Sequence, residues 1–254
     1  MELKITDART GVLLSGGLDS LVGLYNLCNE IIRQDKLDTT VIPFHYIDTQ
    51  YPVTKQIVKD IVRTVKATFP DVTIEDAKMF EYDLDYIVTK SGWKCLNMEE
   101  RDRKFDDYVV ANNVTNVINF ITILPEKQVW SKWNLHALNP RELSNTGYVY
   151  FGTLLDGVRN TPHEEYEFNG KYTRYNPYAT KTKMFVKEMF NLYNVPGRFI
   201  DDTRSCTRIM RKPITNHKPT IPGPIFDHPD FDGTAGSCGQ CYHCWEKKWA
   251  FGKI

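Results

Sequence analysis

The sequence predicts an α/β fold, a doubly wound parallel sheet with a small cysteine-bearing appendage at its C-terminal end. Three observations carry this. The apolar run Gly11-Val12-Leu13-Leu14 breaks into Ser15-Gly16-Gly17-Leu18-Asp19-Ser20 and then into apolar residues at helical spacing: a strand, a tight turn and a helix. A β-rich run from Thr40 to Tyr46 is followed by Val53, Ile57, Val58, Ile61, Val62, Val65 and Phe69, which recur at three and four and spell a second strand and helix. Four of the six cysteines, Cys206, Cys238, Cys241 and Cys244, fall in the last fifth of the chain. Strand and helix alternating in this rhythm make a parallel sheet whose ligands sit at the carboxyl ends of its strands.

In the first helix, Leu21, Leu24, Tyr25, Cys28, Ile31 and Ile32 supply a face to lay on that sheet. Pro52 opens the second helix at its first turn, where a missing N–H costs nothing. Val72-Thr73-Ile74 reads as a short third strand. From Tyr82 to Pro140 the pattern weakens: a helix is expected over Phe105 to Ile121, and Cys95, Trp130 and Trp133 read as packing residues. Tyr148-Val149-Tyr150-Phe151-Gly152 returns to strand pattern, and Asn176-Pro177-Tyr178-Ala179-Thr180-Lys181-Thr182-Lys183 leads into a helix carrying Phe185, Met189, Leu192 and Tyr193. Pro213, Pro219, Pro222, Pro224 and Pro229 keep the segment between Cys206 and Cys238 from being helical, and it reads as a long surface loop closed at its base. The expected division is a main domain over 1–195 and a cysteine-bearing region over 196–254.

Composition narrows the partners. The 254 residues are 41% hydrophobic and 25% charged, enough to bury a real core. With 32 basic and 32 acidic residues there is no global field to gather nucleic acid or a membrane surface, which favours a small substrate over a polyanion. No stretch approaches eighteen apolar residues and no secretory leader pattern is present, so the expected location is the cytoplasm, where thiols stay reduced and the sequon at Asn113 is silent.

The turn after the first strand carries the chemistry. Two successive glycines let the backbone approach an anion closely, so that several N–H groups converge on its oxygens, and the following helix points its positive end at the same spot. It is not a Walker A loop, because no lysine follows the glycines. The plain alternative is an ordinary turn with Asp19 or Ser20 as helix cap. Two later residues are candidates for the same site. Asp156, just past the strand at 148–152, is placed to hold Mg²⁺ or a ribose hydroxyl, or else is a turn aspartate before Gly157. Lys183, at a helix's first turn, is unfavourably set for the dipole unless a phosphate is near, or else is a solvated surface lysine.

The cysteines make the second signal. Cys238-Gly239-Gln240-Cys241-Tyr242-His243-Cys244 with Cys206 upstream offers four soft ligands at spacings that wrap one tetrahedral Zn²⁺. An iron–sulfur cluster would call for a further Cys and Pro nearby, and His243 could replace one thiol.

Ser-Gly-Gly-x-Asp-Ser over Ser15 to Ser20 resembles the signature of the PP-loop ATP pyrophosphatases, which share the adenine nucleotide alpha hydrolase-like fold. Together with the terminal cysteines it resembles the 7-cyano-7-deazaguanine synthase family. Phe44, Tyr46 and Gln50 look like that family's Phe-x-Tyr segment with a nearby Gln, Asp156 stands at the place of its aspartate, and Thr182-Lys183 look like its Thr-Lys before a helix. Three features depart from the pattern: a Pro-x-Arg-Asn segment and a Pro-Asp-Cys segment are not in place, and thirty-one residues separate Cys206 from Cys238.

The resemblance implies ATP cleaved between its α and β phosphates, with adenylation of 7-carboxy-7-deazaguanine, attack by ammonia, and dehydration of the amide to the nitrile. Leu14, Ser15, Gly16, Gly17, Leu18, Asp19 and Ser20 would bind the nucleotide with Asp156, while Ser15, Asp19 and Lys183 would act in catalysis. Mg²⁺ would be shared by Asp19 or Asp156, and Cys206, Cys238, Cys241 and Cys244 would hold a structural zinc. A homodimer is the expected assembly. Two other readings stand beside this one: a relative adenylating another acid for modification of DNA or protein, and an inactive zinc-bearing nucleotide-binding module.

Overall fold

The computed structural model describes residues 3, 5, 8–48, 53–82, 86–88, 94–96, 99–122, 165–168, 172–203 and 242–253. Strand β1 (Arg9–Leu13) lies inside a sheet that has seven strands among the described residues. On one side it pairs in parallel with β2 (Thr40–Asp48), Leu13 opposite Phe44; on the other it pairs in parallel with β7 (Asn116–Ile118), Val12 opposite Ile118. The far edge of β2 carries β3 (Thr73–Ile74) and then β4 (Lys78–Tyr82), both parallel. Beyond β7 comes β9 (Tyr172–Tyr175), again parallel, and β8 (Glu165–Phe168) pairs with it antiparallel. A separate antiparallel pair joins β5 (Tyr86–Val88) to β6 (Lys94–Leu96).

The fold is thus α/β with a mostly parallel sheet, as the alternation of strand and helix requires. Helices α1 (Leu18–Arg33) and α2 (Val53–Thr68) pack with Val12, Val41, Ile74 and Ile118 on one face. Helix α3 (Glu99–Ala111) meets Ile42, Phe44 and Val117 on the other through Phe105 and Val109. The chain runs outward from β1 to β2 and β3, then returns to the opposite side of β1 as β7. The order reverses between β1 and β7, and that crevice at the carboxyl ends is where such sheets bind ligands.

Two sequence expectations are corrected. The helix expected over Phe105 to Ile121 is α3 followed by a strand. Asn113 takes a left-handed conformation, φ 54°, that ends the helix, and the β-branched residues after it pair as β7. Ile32, read as part of the face laid on the sheet, is 46% exposed. Helix α1 has no polar face to spare: Leu18 to Cys28 are buried nearly all round, because it is covered by α2 and by α4 (Lys183–Leu192) as well as by the sheet. A short helix, α5 (Phe199–Asp202), adds Phe199 to the same core, and α6 (Tyr242–Phe251) packs on α4, with Phe190 and Phe251 edge to face at 5.6 Å. The expected strand at 148–152 and the proline-rich loop lie outside the described residues. No helix among the described residues is long and apolar enough to cross a membrane.

Candidate nucleotide site

The turn after β1 is knitted by its own hydroxyls. Ser20 Oγ donates to Gly17 O at 3.1 Å and accepts from the Ser15 N–H at 3.1 Å, while Ser15 Oγ accepts from the Gly17 N–H at 3.2 Å. The two hydroxyls also meet at 3.1 Å. Gly16 has φ +81°, a backbone region that side chains disfavour, which lets the chain reverse within two residues. The plain reading of Asp19 or Ser20 as cap does not hold. Gly17 occupies the cap position of α1 and makes no side-chain cap bond. The first amides of α1 have no acceptor within the helix, so they and the helix dipole are left for an anion.

Beneath the loop, His45 ties β2 to it. Its ring nitrogens contact Leu14 O at 2.7 Å and Thr54 Oγ1 at 2.9 Å. The carbonyl accepts only, so Nδ1 carries the proton and Nε2 accepts from the Thr54 hydroxyl. Burial lowers the His45 pKa, the bond to Leu14 offsetting part of it. A lowered folded pKa means that stability is intact above the unfolded value of about 6.5 and falls as pH drops below it. Chemical denaturation from pH 8 to 5 should show the wild type losing more stability below about pH 6.5 than His45→Gln does. Parallel curves would remove His45 as the cause.

Across the crevice, α4 begins at Lys183, which is only 2% exposed. Its ammonium donates to Asp19 Oδ1 at 2.5 Å, and Thr122 Oγ1 donates to Asp19 Oδ2 at 3.3 Å. The surface-lysine reading is thereby replaced. Two helices present their first turns to one spot, with a carboxylate from one and an ammonium from the other. Tyr178 lies fully buried in the core here, its ring tilted against Phe120 at 4.9 Å and edge to face with Phe185 at 5.2 Å. Burial raises its phenol pKa, and Tyr193 and Asp19 add to this.

Thr122 is held in place by a side chain the sequence did not mark. Asn176 at the end of β9 accepts from the Ile121 N–H at 3.0 Å and donates to Ile121 O at 3.1 Å, bridging the exits of β7 and β9. One residue earlier, Phe120 lies flat on α1 at Gly23. A Cβ there would stand 2.1 Å from the ring.

No protein-family model and no curated protein matches this chain.

The structure therefore brings together Leu14, Ser15, Gly16, Gly17, Leu18, Asp19, Ser20 and Lys183, and adds Thr122, Asn176 and His45. The Phe-x-Tyr segment is divided. Phe44 is fully buried in an aromatic cluster with Phe80, Phe105 and Tyr108, and half-buried Tyr46 packs on Phe80 and Phe105. Asp156, Gln50, Cys206, Cys238 and Cys241 lie outside the described residues. Cys244 is buried in the first turn of α6. Among the described residues no three His, Cys, Asp or Glu side chains gather as a metal site.

Proposed function

We propose that this protein is an ATP pyrophosphatase of the PP-loop type that activates a carboxylate as its adenylate, and that 7-carboxy-7-deazaguanine is that acid, with ammonia as the nucleophile. One observation carries the reading: the uncapped N-terminus of α1, behind a buried strand at the reversal of sheet order, faces the Lys183–Asp19 pair. The amides at the start of α1 and the Lys183 ammonium supply fixed positive charge where a departing pyrophosphate gathers negative charge. Fixed donors do not reorganise during the reaction, so they lower its barrier more than they tighten ground-state binding.

Asp19 fits a Mg²⁺ ion, as a partly exposed carboxylate beside the anion-binding turn; Mg²⁺ bound there would neutralise charge on the phosphates. The thiols of Cys206, Cys238, Cys241 and Cys244 suit zinc by their chemistry, and four thiolates leave no open position, so that metal would be structural. Purified protein should carry about one zinc per chain, and Cys241→Ser should lower both zinc content and melting temperature. Elemental analysis that finds iron, or no metal, would reject this assignment.

A second reading, adenylation of a different acid, draws on Phe44. A planar heterocycle needs an apolar face, and that ring is spent on the core. Incubation with 7-carboxy-7-deazaguanine, ATP, Mg²⁺ and ammonium, followed by mass spectrometry, separates the two. The nitrile is the expected product. Accumulation of the amide alone, or turnover only of another carboxylate, favours the second reading.

A further inference from the structure

Lys183 has a second carboxylate behind it. Glu246 projects from α6, is 0% exposed, and its Oε2 lies 3.9 Å from Lys183 Nζ. At that distance the two groups attract by charge without sharing a proton. The ammonium thus has two carboxylates near it, Asp19 from the loop at the start of α1 and Glu246 from α6. Asp19 cannot serve two cations equally: a carboxylate turned toward a metal–phosphate ligand gives up part of its hold on Lys183. A buried ammonium left without a counter-charge is strongly disfavoured.

We propose that Glu246 is a positioning residue that holds the Lys183 ammonium from behind, so that Asp19 is released to serve the ligand. Through it α6, which packs on α4, becomes part of the proposed nucleotide site. The inference rests on reading the Ser15 to Ser20 turn as a phosphate site.

Calorimetry with inorganic pyrophosphate and Mg²⁺ tests it on the full chain, alongside steady-state ATP cleavage. Without the Glu246 charge, Lys183 keeps Asp19 to itself. E246Q should therefore raise the Mg²⁺ concentration needed for half-saturation by pyrophosphate about tenfold, the size of a typical coupling between touching residues. Pyrophosphate binding without Mg²⁺ should not weaken, and kcat should fall more than KM rises. In a Lys183→Met background the same change should have no further effect.

Equal Mg²⁺ dependence in E246Q and wild type, or an undiminished effect of E246Q in Lys183→Met, overturns the role of Glu246 and leaves the phosphate site standing. Absence of any Mg²⁺-dependent pyrophosphate binding by the wild type rejects the phosphate site and the role together. Should E246Q fail to fold, E246D carries the test. A weaker Mg²⁺ response at wild-type melting temperature supports the role, and an unchanged response overturns it.

Discussion

Asp19→Asn should leave the protein folded and nearly silent. The amide keeps the shape of the carboxylate: its one oxygen can still accept from Lys183, which donates to Asp19 Oδ1 at 2.5 Å, while its NH2 takes the place of Oδ2 and donates to the Thr122 hydroxyl, which in the wild type donates to Oδ2 at 3.3 Å. What it loses is the charge, and with it the hold on Mg²⁺ proposed for Asp19. A metal contribution of several kcal/mol, at a factor of ten per 1.4 kcal/mol, corresponds to roughly a 10²-fold loss of AMP and pyrophosphate formation or more. The loss should fall on kcat rather than on ATP affinity, since the interaction strengthens as the leaving group gathers charge. A variant with unchanged kcat and a raised KM would mean that Asp19 only binds.

Gly23→Val should have the largest effect on stability. Phe120 is almost fully buried and its ring carbons stand 2.1 to 2.5 Å from where a Cβ at position 23 would be. Glycine inside a helix costs about 1 kcal/mol relative to alanine, yet here any side chain collides with a ring that Tyr178 also confines at 4.9 Å. Overpacking outweighs propensity. The expected loss is at the upper end of the usual range, about 3 kcal/mol, or a melting temperature lower by roughly 6–12 °C for a chain of this size. Phe120 immediately precedes Ile121 and Thr122, so ATP cleavage should fall as well. Gly23→Val combined with Phe120→Ala should recover part of the stability, because the cavity then receives the new side chain. Wild-type stability in the single variant would show that α1 and Phe120 do not meet.

The glycine-turn half of the candidate site was legible because its signal is local. Ser15, Gly16, Asp19 and Ser20 act within six residues, and a strand–turn–helix pattern frames them. The strand order beyond β2 was not. Val114 to Ile118 could extend a helical pattern as well as a strand, and only the left-handed Asn113 and pairing with β1 decide it. Thr122, Asn176 and Glu246 left no mark in the sequence, because each matters through a partner far along the chain: Asp19, Ile121 and Lys183. Lys183 was suggested by its awkward place at a helix start. Its partner explains why the position is tolerated.

The most direct test of the account is the identity of the products of ATP. With Mg²⁺, ammonium and 7-carboxy-7-deazaguanine present, phosphorus NMR of the reaction should show AMP and pyrophosphate growing together, and Asp19→Asn should suppress both. ADP and inorganic phosphate growing instead would contradict it, since a site built to hold departing pyrophosphate does not cleave at the γ position.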